Sequence, residues 1–277
     1  MAAEFRLKKI LFPVDFSEQA RGAAAYVEAL AGRFDADIIL LYVVEPPTYD
    51  TVLSELAPPS QENFDKFLGR DLRLFRVEKV IEHGEAASKI VELAHRRGAD
   101  LIMIPTRGLG IFRRLILGST AAKVLHDADC PVWTGVHMEA APPLEAVATR
   151  RVLCAVDLKP TSPRVLDWAN HIAAEYQAEL ALLHVLPLTP GYLNAAQDEQ
   201  LRKEIRRLLD GLKQQTGSPA EVRIEEGDPD KVVAEVAREW GADLLVIGRR
   251  GESGILGRLE RTAYSIIRQS PCPVVSV

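Results

Sequence analysis

The stretch Lys9-Ile10-Leu11-Phe12-Pro13-Val14-Asp15 decides the fold, because it is a short, continuously apolar run that ends in a carboxylate. Nearly the same pattern returns as Arg151-Val152-Leu153-Cys154-Ala155-Val156-Asp157, so that Asp157 follows Asp15 at an offset of 142 residues. Buried runs of this length are typical of strands in a parallel sheet that is covered on both faces. The repetition therefore predicts two copies of one fold.

Further segments repeat at an offset of 142 or 143 residues. They are His83-Gly84 with Glu226-Gly227, Ala99-Asp100-Leu101 with Ala242-Asp243-Leu244, and Cys130-Pro131-Val132 with Cys272-Pro273-Val274. Solenoid repeats have periods of roughly 20 to 50 residues, so a period this long corresponds to whole domains. We predict a first domain at residues 1–138, a linker at 139–149 and a second domain at 150–277.

Apolar runs alternate with segments whose apolar residues recur every three or four positions, which is typical of helices with one buried face. Strands that alternate with helices predict an α/β fold in which each domain is doubly wound around five mostly parallel strands. The predicted helices are 20–34, 63–71, 87–97, 163–176, 195–216, 229–240 and 262–269, and the predicted strands include 10–14, 38–44, 101–104, 132–136, 152–156, 179–185, 221–225, 244–247 and 274–277. Residues 46–60, with two proline pairs, are expected to form a loop.

The composition limits the classes of function. Hydrophobic residues make up 47% of the chain and charged residues 26%, and the formal net charge is −5. No apolar run reaches the roughly 18 residues of a membrane span, and no secretory signal is recognisable. We expect a cytoplasmic protein that binds neither membranes nor nucleic acid, because its charge offers no long-range attraction to polyanions.

Ligands of open α/β sheets bind outside the carboxyl ends of the strands, at the point where strand order reverses. In the first repeat, Asp15 and the segment 105–120 lie there. A helix that begins near Gly118-Ser119-Thr120 offers backbone N–H groups to a phosphate, with arginine charge from Arg107, Arg113 or Arg114. The alternative is that Ser119 or Thr120 is an ordinary helix cap, and that Asp15 only caps a helix starting near Ser17.

These motifs together resemble the universal stress protein family in its tandem form, over both halves of the chain. The resemblance implies a Rossmann-like fold of the adenine nucleotide alpha hydrolase type and an ATP site, with Mg²⁺ accompanying the nucleotide. The family pattern G-x2-G-x9-G-[S/T] is matched from Pro105 to Ser119, with proline in place of the first glycine. By resemblance, Pro13, Val14 and Asp15 line the nucleoside pocket, and Val43 and Ile104 flank the adenine. The phosphates are held by Gly108, Gly118, Ser119 and Thr120, with Arg107 beside them.

The second repeat departs further from the pattern. It keeps Gly248-x2-Gly251. Alignment back from Cys272 places Glu260-Arg261-Thr262 opposite Gly118-Ser119-Thr120, whereas alignment forward from Gly251 places Arg261-Thr262 opposite Gly118-Ser119. In both alignments the glycine at the helix start is absent. We expect triphosphate to bind there weakly or not at all. A degenerate second site would consist of Asp157, Val185, Gly248 and Gly251.

The resulting hypothesis is an ATP-binding stress-response regulator with its nucleotide in domain 1. The alternatives are an interaction scaffold that binds no nucleotide and a slow ATPase, although no catalytic residues and no metal ligands are recognisable. The resemblance also implies pairing of the two domains within the chain, a homodimer as a further option, and a protein partner that the sequence does not identify.

Overall fold

A computed structural model describes residues 5–46, 61–69, 72–105, 117–135, 147–187, 195–249 and 261–277. The chain divides into two compact units, Met1–Val147 (unit 1) and Ala148–Val277 (unit 2). The division falls inside the predicted linker, whose own limits remain a prediction, as does the pairing of the domains.

Unit 1 contains a parallel sheet whose strands lie in the order β3-β2-β1-β4-β5. Its described elements are β1 (Lys9–Val14), α1 (Glu18–Phe34), β2 (Asp37–Val44), α2 (Gln61–Lys66), β3 (Val77–His83), α3 (Ala86–Arg97), β4 (Leu101–Pro105), α4 (Ser119–Asp127) and β5 (Val132–Gly135).

Unit 2 repeats this arrangement, with strands in the order β8-β7-β6-β9-β10 and parallel pairing throughout. Its described elements are β6 (Arg151–Ala155), α5 (Ser162–Tyr176), β7 (Glu179–Leu186), α6 (Ala195–Thr216), β8 (Glu221–Glu226), α7 (Pro229–Trp240), β9 (Leu244–Ile247), α8 (Arg261–Gln269) and β10 (Val274–Ser276). The predicted α/β fold and its repetition are confirmed.

One predicted helix is wrong in its bounds. Periodicity placed it at 63–71, whereas α2 ends at Lys66. Leu68 has a φ of 52°, which is incompatible with a continuing right-handed helix. The third strand of unit 1, β3, received no predicted bounds, Val136 lies outside the described residues, and so does nearly all of the predicted loop at 46–60.

The core explains why the short apolar runs become central strands. Ile10, Leu11 and Phe12 of β1 are fully buried, and Val152 and Leu153 of β6 are as well. A strand between two others, with helices on both faces, has no side on which polar residues would meet solvent.

The repeated aspartates before β4 and β9 hold the amino-terminal edge of each sheet. Oδ2 of Asp100 accepts hydrogen bonds from the backbone N–H groups of Lys8 (2.8 Å) and Lys9 (2.9 Å). In unit 2, Oδ2 of Asp243 accepts from those of Arg150 (2.8 Å) and Arg151 (2.9 Å). This repeated motif is thus structural, and it lies at the edge opposite to the candidate site.

Candidate functional site

Strand order reverses between β1 and β4 in unit 1 and between β6 and β9 in unit 2. From β1 the chain proceeds to β2 on one side, whereas from β4 it proceeds to β5 on the other. In doubly wound sheets the ligand crevice lies at the carboxyl edge, between the two strands at which this reversal occurs. Asp15 follows β1 directly, so the structure places it at this crevice.

The ladder between β1 and β4 is short. It pairs Ile10 with Leu101 and Leu11 with Ile102, and then stops. Both strands nevertheless continue for three more residues. The two strands therefore remain unpaired with each other over their carboxyl ends.

Backbone direction explains the stop. Along a parallel strand, the N–H and C=O groups of successive residues point alternately to the two neighbouring strands. The N–H of Ile102 donates to the carbonyl of Pro131 (3.0 Å), on the β5 side, so Met103 and Pro105 face β1. By the same alternation Pro13 faces β4.

Two prolines therefore face each other across the crevice. Continuing the ladder would require the N–H of Pro13 to donate to the carbonyl of Met103, and the N–H of Pro105 to donate to that of Pro13. Proline has no N–H, so neither bond can form. The ladder between β1 and β4 is therefore interrupted by the sequence itself, and the carbonyl groups of Pro13 and Met103 have no partner in it.

The same ladder in unit 2 continues further. It pairs β6 with β9 over four residues, up to Ala155 with Ile247. Ala155 stands at the position of Pro13, and Gly248 at that of Pro105, and both have the N–H that the prolines lack. The crevice of unit 2 is therefore closed by two residue pairs that are absent from unit 1.

Asp15 belongs to the start of α1. Its Oδ1 accepts hydrogen bonds from the backbone N–H (3.0 Å) and the hydroxyl of Ser17. The Oγ of Ser17 in turn accepts from the N–H of Ala20 (3.1 Å). Ser17 is thus the helix cap, and Asp15 orients it while remaining half-buried at the carboxyl edge.

The residue after this aspartate has a left-handed backbone in both units. Phe16 has a φ of 64° and Leu158 a φ of 60°, which is unusual for bulky side chains. Backbone strain of this kind costs of order 1–3 kcal/mol and concentrates at functional sites. The sequence contains no glycine there, so sequence reasoning missed this turn.

In unit 1 the Phe16 ring packs within a cluster of aromatic side chains. Its ring centroid lies 4.9 Å from that of Tyr42, 6.1 Å from that of Phe64 and 4.8 Å from that of Phe67. Burial raises the pKa of the Tyr42 phenol, and the charge of nearby Asp15 raises it further. The cluster therefore lies beside the candidate carboxylate and attaches α2 to the carboxyl edge.

Asp157 has a different environment from Asp15. Its Oδ2 lies 3.0 Å from Nζ of Lys159, and its Oδ1 accepts from the N–H of Lys159 (3.1 Å). At the position of Lys159, unit 1 has Ser17. At the position of Tyr42, unit 2 has His184, whose Nδ1 lies 2.8 Å from the carbonyl of Val156. The carboxylate of unit 2 is thus held by a cation of its own unit.

Helix α4 begins with Gly118 as its N-cap, so the alternative that Ser119 or Thr120 caps the helix is wrong. Gly118 has no side chain to accept from the first-turn N–H groups, and no side-chain cap is present among the described residues. Ser119 is exposed and Thr120 half-buried. These N–H groups and the helix dipole can attract an anion.

A cation lies one turn further along α4. Nζ of Lys123 lies 2.9 Å from Oε2 of Glu85, the N-cap of α3. Hydrogen bonds from Ser88 and then from Lys123 lower the pKa of Glu85 to about 2. Residues i and i+4 share one helix face, so Lys123 lies on the same face as Ser119.

The structure locates the other predicted residues only in part. Pro13, Val14 and Ile104 are buried at the carboxyl ends of β1 and β4, and Val43 is half-buried near the end of β2. Val185 is buried near the end of β7, and Gly248 follows β9. Outside the described residues lie Arg107, Gly108, Arg113, Arg114, Gly251 and Glu260.

No group of three or more His, Cys, Asp or Glu side chains among the described residues is arranged to hold a metal ion. None of the helices that the structure describes has the length and apolar character needed to cross a membrane.

Sequence reasoning also missed a cleft of about 310 Å³ between β8 and α7, lined among others by Arg223, Glu225, Glu239 and Trp240. The guanidinium of Arg223 lies 5.3 Å from the centre of the Trp240 ring. At the corresponding place in unit 1, Arg96 of α3 forms an ion pair with Glu82 of β3. The two units thus differ in charge at this outer strand as well as at the crevice.

Comparison with known proteins agrees with the internal repeat. The sequence profile of the universal stress protein family matches residues 6–134 and again 148–277. A universal stress protein of Mycolicibacterium smegmatis is 27% identical over 97% of this chain and 96% of its own length. One of Methanocaldococcus jannaschii is 32% identical over 45% of this chain and 79% of its own length.

A solved structure shares the fold over both units. The universal stress protein of Archaeoglobus fulgidus superposes with a TM-score of 0.75, at 24% identity, over 98% of each chain. The family profile accounts for both halves of the sequence, and the repeated sheets account for both halves of the structure. The chain therefore belongs to the universal stress protein family, as a tandem of two domains of that family.

Proposed function

We propose that unit 1 binds an adenine nucleotide, ATP together with Mg²⁺, at the carboxyl edge between β1 and β4. The observation that carries this proposal is the interrupted ladder between β1 and β4, together with Asp15 directly after β1 and the glycine-capped start of the helix that follows β4. The carboxylate suits the hydroxyl or amino donors of a nucleoside, and the helix start suits its phosphates.

Unit 2 binds triphosphate weakly or not at all in this proposal. Its crevice is closed by two further residue pairs, and Asp157 is paired with Lys159. Unit 2 then serves as a structural or regulatory partner of unit 1. The chain as a whole acts as a stress-response regulator whose nucleotide occupancy alters its protein contacts, as its family suggests.

Hydrolysis is not central to this function. Asp15 accepts hydrogen bonds from Ser17, the N-cap of α1, which gives it a role in orienting that cap. The pKa shift that Asp15 contributes to is that of Tyr42, whose phenol is held in its neutral form and carries no charge toward a phosphate. Any Mg²⁺ would arrive with the phosphates, because the described residues offer no metal cluster of their own.

The test uses a matched pair of substitutions, Thr120→Glu in unit 1 and Thr262→Glu in unit 2. Each residue is the second of its helix, α4 or α8. A glutamate in the first turn is compatible with the helix dipole, so the fold should persist in both variants. A carboxylate in the first turn of α4 would repel a phosphate bound there.

Titration calorimetry with ATP and Mg²⁺ on nucleotide-stripped protein should show one site in the wild type. Thr120→Glu should weaken binding by about tenfold or more, which corresponds to ~1.4 kcal/mol of lost interaction. Thr262→Glu should bind as the wild type does. A folded wild type that binds no ATP would favour the scaffold alternative, whereas equal losses in both variants would place the nucleotide elsewhere.

A further inference from the structure

The crevice between β1 and β4 has an unusual chemical composition. Across it, the backbone of Met103 faces β1 and that of Pro13 faces β4, and the ladder provides neither carbonyl with a donor. Both residues are buried, Met103 with 3% of its surface exposed. Buried backbone carbonyls are nearly always hydrogen-bonded, and among the described residues the ladder supplies no donor for these two, so we assign that role to a ligand.

Pro105 determines this character. If residue 105 were glycine, as Gly248 is in unit 2, its N–H would point into the crevice and could donate to the carbonyl of Pro13 or to a ligand. With proline there, the backbone groups of β1 and β4 that the ladder leaves unpaired beyond Leu11 and Ile102 are acceptors, since the N–H of Met103 is used in the pairing of Leu11 with Ile102. The carboxylate of Asp15 at the end of β1 is an acceptor as well when ionised.

We propose that Pro105 makes this crevice a subsite that accepts hydrogen-bond donors and rejects acceptors. The inference rests on the proposed nucleotide site and specifies the chemistry of one part of it. The group it selects is a hydroxyl or an amino group of the nucleoside. Either group carries a hydrogen that it can donate to the carbonyl oxygen of Met103 or Pro13, whereas a group with lone pairs alone cannot. A ligand that lacks the donor leaves buried carbonyls unpaired, which makes the discrimination strong.

The packing around residue 105 is consistent with a dedicated proline. A Cβ added to Gly248 would lie 3.5 Å from Cγ2 of Val165 on α5. The residue at the position of Val165 in unit 1 is Ala23 of α1, which is smaller and buried. The covering helix therefore presents a smaller side chain at this position in unit 1 than in unit 2.

The test compares three nucleosides with the wild type and with Pro105→Gly. The nucleosides are adenosine, 2′,3′-dideoxyadenosine, which lacks the 2′ and 3′ hydroxyls, and purine riboside, which lacks the amino group. Gly248→Ala is the matched control in unit 2, because alanine keeps the N–H and its Cβ makes an ordinary contact there.

In the wild type, one of the two analogues should bind at least about tenfold more weakly than adenosine, and which one it is identifies the donor as hydroxyl or amine. In Pro105→Gly this ratio should fall to about threefold or less, because the new N–H can pair with the carbonyl of Pro13 or with the ligand. Gly248→Ala should retain the wild-type ratio. Equal affinities of all three nucleosides for the wild type, or an unchanged ratio in Pro105→Gly, would overturn the proposal.

A second measurement separates this inference from the proposed function. If no nucleoside or nucleotide binds, the proposed function fails, and the crevice is then tested without ligand. The chain has three methionines, so labelling methionine carbonyls with ¹³C gives few infrared bands, and Met103→Leu assigns the relevant one. Pro13→Ala supplies the missing N–H and should shift the Met103 band to lower frequency. An unshifted band would show that this carbonyl already has a donor, and the proposal would fail.

Discussion

The carboxyl edges of the two units are built from the same parts but differ in what those parts leave accessible. Asp15 and Asp157 each follow the first strand of their unit, and each is followed by a bulky residue with positive φ. In unit 1 the adjacent ladder stops early, whereas in unit 2 it continues and Lys159 pairs with the aspartate. A repeated residue therefore does not imply a repeated site.

The opposite edges of the sheets show what duplication preserves. Asp100 and Asp243 make the same two backbone hydrogen bonds, with the same distances, in both units. These bonds stabilise the sheet itself, so each domain needs them to fold. The carboxyl edges, by contrast, differ in the length of the β1–β4 and β6–β9 ladders and in the partner of the aspartate.

The largest effect is expected from disrupting the aromatic cluster around Phe16. This cluster lies beside Asp15 in unit 1, so its loss tests the difference between the carboxyl edges of the two units. Phe64 is 1% exposed and its ring lies 6.1 Å from that of Phe16. Phe64→Ala should destabilise unit 1 by about 3–5 kcal/mol through lost burial and a cavity. It should also weaken ATP binding, because Phe16 adjoins Asp15. Urea unfolding and calorimetry measure the two effects.

The matched control is Leu209→Ala in α6, the segment of unit 2 that corresponds to α2. Leu209 is fully buried, so a loss of about 2–5 kcal/mol is expected in unit 2. ATP affinity should be unchanged under conditions in which both units are folded. If Leu209→Ala weakened ATP binding as much as Phe64→Ala does, the site could not be assigned to unit 1.

Sequence reasoning located the elements well because their signals are local. The apolar run of β1 and the three- to four-residue spacing of α1 and α3 depend on nearest neighbours along the chain. The prediction for α2 failed where a single turn at Leu68 took a left-handed conformation. Such a turn is imposed by tertiary packing, and a leucine gives no sequence signal for a left-handed backbone.

The sequence indicates where a candidate site should lie, but it does not indicate how far the neighbouring strands pair or which residue binds the aspartate. Both prolines at the crevice are visible in the sequence, yet their effect depends on the register between β1 and β4, which is a tertiary property. The Lys159 pair likewise depends on the turn at Leu158, whose positive φ has no sequence signal. The start of α4 was predicted within one residue, but Gly118 rather than a hydroxyl residue proved to be the cap.

A smaller effect is expected from giving unit 1 the lysine of unit 2. Ser17→Lys removes the cap that accepts from Ala20, which costs about 1 kcal/mol of stability. The lysine should also pair with Asp15 and weaken ATP binding by up to about tenfold, as the carboxylate is then partly neutralised. Thermal unfolding and ATP titration measure the two losses.

The reciprocal substitution, Lys159→Ser, completes the exchange between the units. It removes the ion pair of Asp157 from a partly exposed position, so stability should change by less than about 1 kcal/mol. ATP binding in unit 1 should not respond. If Ser17→Lys left ATP affinity intact, the ion pair of unit 2 would not explain the difference between the two edges.

The smallest effect concerns the helix starts of α3 and α7, whose capping acids have pKa shifts of opposite sign. The pKa of Glu85 is lowered to about 2 by Ser88 and then Lys123, whereas a hydrogen bond with Asp230 raises the pKa of Asp228. A lowered folded-state pKa stabilises the protein above the unfolded value of about 4.3, and this contribution is lost as the pH falls toward 2. A raised pKa acts in reverse, so stability from Asp228 is lost as the pH rises through its folded-state pKa.

Glu85→Gln should therefore lower the unfolding temperature at pH 7, and the variant and the wild type should converge near pH 2. The loss of unfolding free energy at pH 7 should stay below about 1 kcal/mol, because the Glu85 side chain is half exposed. Asp228→Asn should show the opposite trend, with its most favourable effect relative to wild type at pH 7. Parallel pH profiles for the two variants would mean that the starts of α3 and α7 are electrostatically alike, and would contradict this prediction.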